Sequence, residues 1–134
     1  MAEIVIVEDD FDLANTYKTR LGAENYVVKI VDDREAVSFI SQEKPDLVIL
    51  DILMPNVSGL SILRELRDNP QFETLPVLIL TNDEKTADVE QAVKIGVDGY
   101  ILKAETGLDD LVKMVRELLL VKESASGVGI EGGD

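Results

Sequence analysis

The chain has 134 residues, 46% of them hydrophobic, enough for one domain with a real core. Its 27 acidic and 13 basic residues give a formal net charge of −14, which argues against non-specific nucleic-acid or anionic-membrane binding and suits cations or basic partner surfaces. It has no Cys and no His, which excludes disulfides, thiolate metal sites, the usual zinc ligand and a phosphohistidine role.

The N-terminus opens into a strand-like run, Glu3-Ile4-Val5-Ile6-Val7, with no signal-peptide pattern. No apolar run approaches the ~20 residues needed to span a bilayer, so a cytoplasmic location without membrane contact is expected. Glu8-Asp9-Asp10 closes this first strand. Taken alone, the triplet reads as Asp10 capping the next helix while Glu8 and Asp9 are solvated; the alternative is that Glu8 and Asp9 face a cation. The helix carries Ala14, Tyr17 and Leu21 on one face and ends near Gly22. A second strand, Tyr26 to Val31, precedes a short helix bearing Ala36, Val37 and Ile40, at whose start Asp32 and Asp33 read as caps only. Lys44-Pro45 then breaks the chain.

Val48-Ile49-Leu50 is apolar on both sides and β-branched, as in a strand buried on both faces, and it ends in Asp51. A lone Asp there could cap the following helix, but Ser58 lies nearer that helix and is the better cap. Ile62, Leu63 and Leu66 define the third helix, which Asn69-Pro70 ends. Leu75 to Leu80 is a fourth strand ending at Thr81. Val89, Ala92 and Val93 mark a fourth helix, stopped by Gly96. Tyr100-Ile101-Leu102 is a short fifth strand ending at Lys103. Thr106-Gly107-Leu108-Asp109 has a capping-box pattern, and Leu108, Leu111, Val112, Val115, Leu118 and Leu119 give the last helix an apolar stripe read as core packing. Residues 1–122 are expected to form the domain, and the Ser/Gly-rich residues 123–134 a flexible tail or linker.

Strand and helix thus alternate five times, which implies a parallel sheet with helices on both faces. In such sheets ligands bind beyond the carboxyl ends of the strands. Glu8 and Asp9, Asp51, Thr81 and Lys103 all end strands, and together they place three carboxylates, a hydroxyl and an ammonium at one rim. Oxygen donors suit Mg²⁺ or Mn²⁺ rather than zinc. A carboxylate beside a divalent cation can attack phosphorus to give an aspartyl phosphate, whose oxygens Lys103 and Thr81 could receive. No Gly-rich phosphate loop is present, so the phosphoryl group is expected to arrive on another protein.

In Val7-Glu8-Asp9-Asp10, Asp51-Ile52-Leu53-Met54-Pro55 with Ser58-Gly59, Thr81, and Tyr100-Ile101-Leu102-Lys103, the chain resembles response-regulator receiver domains of two-component signalling, over residues 2 to about 121. The resemblance implies a flavodoxin-like (βα)5 three-layer sandwich of the α/β class, its parallel five-stranded sheet in the order 2-1-3-4-5. It implies that Asp51 is the phosphoacceptor, charged by a histidine kinase or histidine phosphotransfer protein. Asp9, Asp51 and the backbone carbonyl of Leu53 would hold Mg²⁺ directly, and Glu8 through water. Lys103 and Thr81 would bind the phosphoryl group, and Tyr100 would change rotamer as Thr81 moves. The output would be a downstream protein target or a missing output domain, with no direct nucleic-acid contact, and a phosphorylation-dependent homodimer is compatible with it. The competing reading is a Mg²⁺-dependent phosphohydrolase working through an aspartyl phosphate. Leu53 counts against it, because such enzymes usually carry a second acid two residues after the nucleophile.

The sequence departs from the family pattern in two places. Ala104 follows Lys103 where the family usually has a cis-Pro; a cis bond before Ala costs ~3 kcal/mol, which makes the position of Lys103 less secure. Asn82 follows Thr81 where a smaller residue is usual, a change expected to narrow access to Asp51 and alter the lifetime of the phosphate.

Overall fold

The computed structural model describes the backbone of residues 1–132 and the side-chain burial of residues 1–122. The strands are β1 (Glu3–Val7), β2 (Val27–Val31), β3 (Leu47–Asp51), β4 (Val77–Thr81) and β5 (Gly99–Leu102). The helices α1 (Phe11–Gly22), α2 (Ala36–Glu43), α3 (Gly59–Asp68), α4 (Ala87–Ile95) and α5 (Leu108–Gly132) alternate with them. All neighbouring strands pair in parallel, in the order β2-β1-β3-β4-β5.

β3 is central and buried along its whole length, which explains its continuous apolar composition. Its side chains alternate between two cores. Val48 and Leu50 pack with Ile40 of α2, Ile62 and Leu66 of α3 and Val89 of α4. Leu47 and Ile49 pack with Tyr17 and Leu21 of α1 and Leu111 and Val115 of α5. The result is a three-layer sandwich with helices on both faces.

Local chemistry sets most boundaries. Asp10, Ser58 and Thr86 each accept a backbone N–H bond at the start of α1, α3 and α4. Gly96 ends α4 with φ of 123°, open to glycine and strained for other residues.

Several readings of the sequence change; Tyr26 precedes β2, and Leu108 is exposed at the start of α5. Leu75 and Pro76 precede β4 rather than belonging to it. Val93 is exposed, because Val89 and Ala92 already fill the buried face of α4. The capping box does not form: the Thr106 hydroxyl turns back to accept the Leu102 N–H at 2.9 Å, and Asp109 pairs with Arg20 at 3.0 Å. The backbone of α5 continues through Ser/Gly-rich residues 123–132 as helix where composition suggests a tail; no proline interrupts that stretch. Residues 133 and 134 lie outside the described residues.

Candidate functional site

Strand register assembles the rim. Val7 pairs with Leu50, so Glu8 emerges beside Asp51. Asp51 pairs with Leu80, and Thr81 with Leu102, so Thr81 and Lys103 follow on the next two strands. The Lys103 N–H donates to the Thr81 carbonyl at 2.9 Å and locks that corner. No peptide bond among the described residues is cis, so the Lys103–Ala104 bond is trans, and Lys103 still reaches the acids.

Glu8, Asp9 and Asp51 bring one carboxylate oxygen each within 4.8 Å of one another. Glu8 is 4% and Asp51 2% exposed, so two carboxylates share a nearly dry position, while Asp9 is exposed. Lys103 Nζ lies 2.7 Å from Glu8 Oε1 and 3.1 Å from Asp51 Oδ2. Apart from that ion pair, Glu8 Oε1 is buried with no further polar partner. Glu8 Oε2 accepts the Asp9 N–H at 3.0 Å, and Asp51 Oδ1 accepts the Leu53 N–H at 3.2 Å.

One ammonium cannot neutralise two buried acids. Burial, then the hydrogen bond with Asp51, push the Glu8 carboxyl up to about 8, against the opposing pull of Lys103. Burial alone would lower the Lys103 pKa, but contact with Glu8 and Asp51 holds it above its ordinary value. The all-oxygen donor set and the excess of carboxyl groups over the single ammonium fit a small hard divalent cation. A cavity of about 380 Å³ opens beside Glu8 and Asp9, walled by Phe11, Asp33, Pro55 and Asn56. A larger one of about 580 Å³ lies at the opposite pole, against Lys44, Phe72, Asp98 and Leu118, and includes none of these groups.

Thr81 is buried, and its hydroxyl donates to the Asp83 carbonyl at 3.1 Å while accepting the Asp83 N–H at 3.3 Å. Tyr100 stands outward, its hydroxyl donating to Glu84 Oε2 at 2.7 Å, and this bond raises the phenol pKa. Leu53 is exposed and places no acid two residues after Asp51.

Three residues that the sequence placed only as motif, core or cap have contacts at the site. Gly59 admits no side chain, because a Cβ would collide with the Asp51 carbonyl oxygen and lie 2.7 Å from Ile52 Cα. Its N–H closes the loop on the Ile52 carbonyl at 2.9 Å. Tyr17, expected only as core, buries a hydroxyl without a partner; burial raises its pKa, and the charge of Glu8 adds to the effect. Asp33 is not a cap. Asp32 accepts the Arg34 N–H at 2.8 Å, whereas Asp33 turns inward and accepts from Asn56 and Val57. The Asp-Asp pair gave no signal of this, since its partners lie 23 and 24 residues away.

Comparison with known proteins decides the family. The family model described as response regulator receiver domain matches residues 4–116. The chain belongs to the response regulator receiver domain family. Among its relatives, the response regulator ArlR of Staphylococcus epidermidis is 35% identical over 133 residues, covering 98% of this chain and 59% of that protein. The regulatory protein VanR of Enterococcus faecium is 35% identical over 127 residues, covering 94% and 53%. This receiver domain therefore spans between half and three fifths of those relatives. The solved receiver domain of a signal transduction histidine kinase from Syntrophus aciditrophicus is 37% identical, covers 89% of this chain and 90% of that one, and superposes with a TM-score of 0.81. Among the described residues no helix is long and apolar enough to cross a membrane.

Proposed function

We propose that this receiver takes a phosphoryl group onto Asp51 from a histidine kinase or histidine phosphotransfer protein, in a Mg²⁺-dependent reaction. The observation that carries this reading is the Asp51 carboxylate itself: it ends the central strand, lies 3.1 Å from the Lys103 ammonium, and is flanked by Glu8 and Asp9 within ligand distance. A carboxylate oxygen of Asp51 attacks phosphorus; the new P–O bond replaces the P–N bond to the donor imidazole, which leaves with the electron pair and takes a proton. Lys103 receives the negative charge on the transferred oxygens, and the Thr81 hydroxyl, once released from Asp83, supplies a further donor. Asp9, Asp51 and the Leu53 carbonyl are the direct Mg²⁺ ligands in this reading, with Glu8 acting through water. When bound there, Mg²⁺ would supply charge neutralisation and Lewis acidity toward the phosphoryl group.

The output is a change of the surface formed by α4, β5 and α5, read by a protein target or by an output domain of a cytoplasmic regulator. Thr81 and Tyr100 carry that change. The test is Asp51→Asn, nearly isosteric but unable to form the acyl phosphate. It should fold like wild type and gain no phosphate from acetyl phosphate by intact-mass measurement. Phosphate gained at the wild-type level would place the nucleophile elsewhere.

A further inference from the structure

The loop from Leu53 to Ser58 must hold a backbone close to Asp51, yet it carries Pro55 and no secondary structure over most of its length. It is tied at both ends: the Asp51 carboxylate accepts the Leu53 N–H, and the Ile52 carbonyl accepts the Gly59 N–H. Between them, among the described residues, a single side chain from another part of the chain ties the loop. Asp33 Oδ2 accepts the Asn56 N–H at 3.0 Å and the Val57 N–H at 3.0 Å, and Asp33 Oδ1 accepts Asn56 Nδ2 at 3.3 Å. Asp33 is 7% exposed and, among the described residues, has no cationic partner. A nearly buried carboxylate pays a desolvation cost that a surface cap would not. The N–H donors of two consecutive loop residues offset it, and their two bonds to one oxygen fix both position and direction. Burial alone would raise the Asp33 pKa. The donors of Val57 and Asn56 outweigh it and hold the carboxyl well below its ordinary range.

We propose that Asp33 is a positioning residue for the phosphorylation site, holding Asn56 and Val57 so that the Leu53 backbone stays in place beside Asp51 for the cation. This rests on the reading of Glu8, Asp9, Asp51 and Leu53 as a Mg²⁺ site. Asp33 touches neither ion nor phosphate, and acts as supporting groups outside a ligand set do, by removing the freedom of the ligands.

The experiment compares wild type, Asp33→Ala, Asp33→Asn and a control, Arg67→Met. Arg67 is a structural residue of the opposite pole, bonded to the Gly96, Phe72 and Leu75 carbonyls. Amide exchange and Mg²⁺ titration are followed by NMR, and thermal midpoints are measured without metal. Asp33→Ala should expose the Asn56 and Val57 amides to exchange and weaken Mg²⁺ binding by about tenfold, the low end of losses from supporting groups. Asp33→Asn, which keeps one acceptor oxygen and the shape, should fall between it and wild type, and carries the comparison should the alanine variant not fold. Arg67→Met should lower the thermal midpoint and leave Mg²⁺ affinity unchanged. Unchanged exchange at Asn56 and Val57 in both Asp33 variants would overturn the clamp. Freed amides with wild-type Mg²⁺ affinity would overturn its role in the site. Equal losses of Mg²⁺ affinity in Asp33→Asn and Arg67→Met would reduce the effect to lost stability. No Mg²⁺ binding by wild type would overturn the functional reading and the positioning role together, while leaving the amide-exchange result on the clamp readable.

Discussion

At Glu8 the polypeptide places a carboxyl that burial makes unfavourable as an anion, beside a second carboxyl and only one ammonium. Its folded-state pKa, about 8, exceeds its ordinary value of 4.5. Between those values the folded protein binds more protons than the unfolded chain, so stability falls as pH rises through that window. The raised Lys103 pKa does not act there; its contribution is lost only above its ordinary value of 10.5. Urea unfolding of metal-free protein should therefore show decreasing stability from pH 5 to 8, and a saturating Mg²⁺ concentration should flatten the slope by taking the place of the proton. A metal-free slope near zero would mean that Glu8 keeps an ordinary pKa. Asp9→Ala should abolish specific Mg²⁺ binding while leaving the fold intact, since Asp9 is the exposed member of the cluster; titration with unchanged affinity would remove it from the ligand set.

The β4–α4 connection holds both proposed switch residues at once. Its Asp83 backbone occupies the Thr81 hydroxyl, and its Glu84 carboxylate accepts from the Tyr100 hydroxyl. This arrangement favours the outward Tyr100 rotamer in the unphosphorylated state. A hydrogen bond to a charged acceptor biases the rotamer that makes it, even where solvent competes. Glu84→Ala should therefore shift the Tyr100 ring resonances toward those of the beryllofluoride-bound form without any phosphoryl mimic. Identical ring resonances in wild type and variant would show that Glu84 does not bias the rotamer. At α5, Lys122 still contacts the core end of the molecule through Asp46 at 3.2 Å. A chain ended after Lys122 is expected to keep the wild-type thermal midpoint within about 2 °C, because loss of ~0.5 kcal/mol moves it by no more; a larger drop would place the domain boundary further along the helix.

Across the whole molecule the two ends of the sheet divide the work. The amino-terminal pole is stapled by Arg67, half buried and bonded to carbonyls of both the α3–β4 and the α4–β5 connections, with Asp98 at 3.7 Å. Removing such a group leaves buried carbonyls unpaired, and Arg67→Met should cost about 2–3 kcal/mol in urea unfolding. The carboxyl pole is left for chemistry. The proposed phosphorylation there would add roughly two negative charges, and the parallel register connects Asp51 to Thr81 and then to Lys103. Beryllofluoride should thus change amide shifts around Asp51 and through residues 81 to 120. Thr81→Ala should suppress the distal changes while still permitting phosphorylation, and full-sized distal shifts in that variant would exclude this hydroxyl as the carrier.

The sequence by itself determined the alternation of strand and helix and the polar residues that end the strands. These are local properties: a β-branched apolar run cannot be solvated on either face, and an Asp, Thr or Lys at its end marks where the sheet stops. It also disclosed the caps at Asp10 and Ser58, whose partners lie within one turn. The strand order came from resemblance of the motifs rather than from periodicity, which is blind to which strands are neighbours. Tertiary structure alone decided the inward turn of Asp33, the staple at Arg67 and the exposure of Val93. Some of these depend on groups more than twenty residues apart, others on which face a neighbouring element has already filled. Such choices are set by desolvation and unpaired backbone groups in the assembled molecule, and a local pattern records neither.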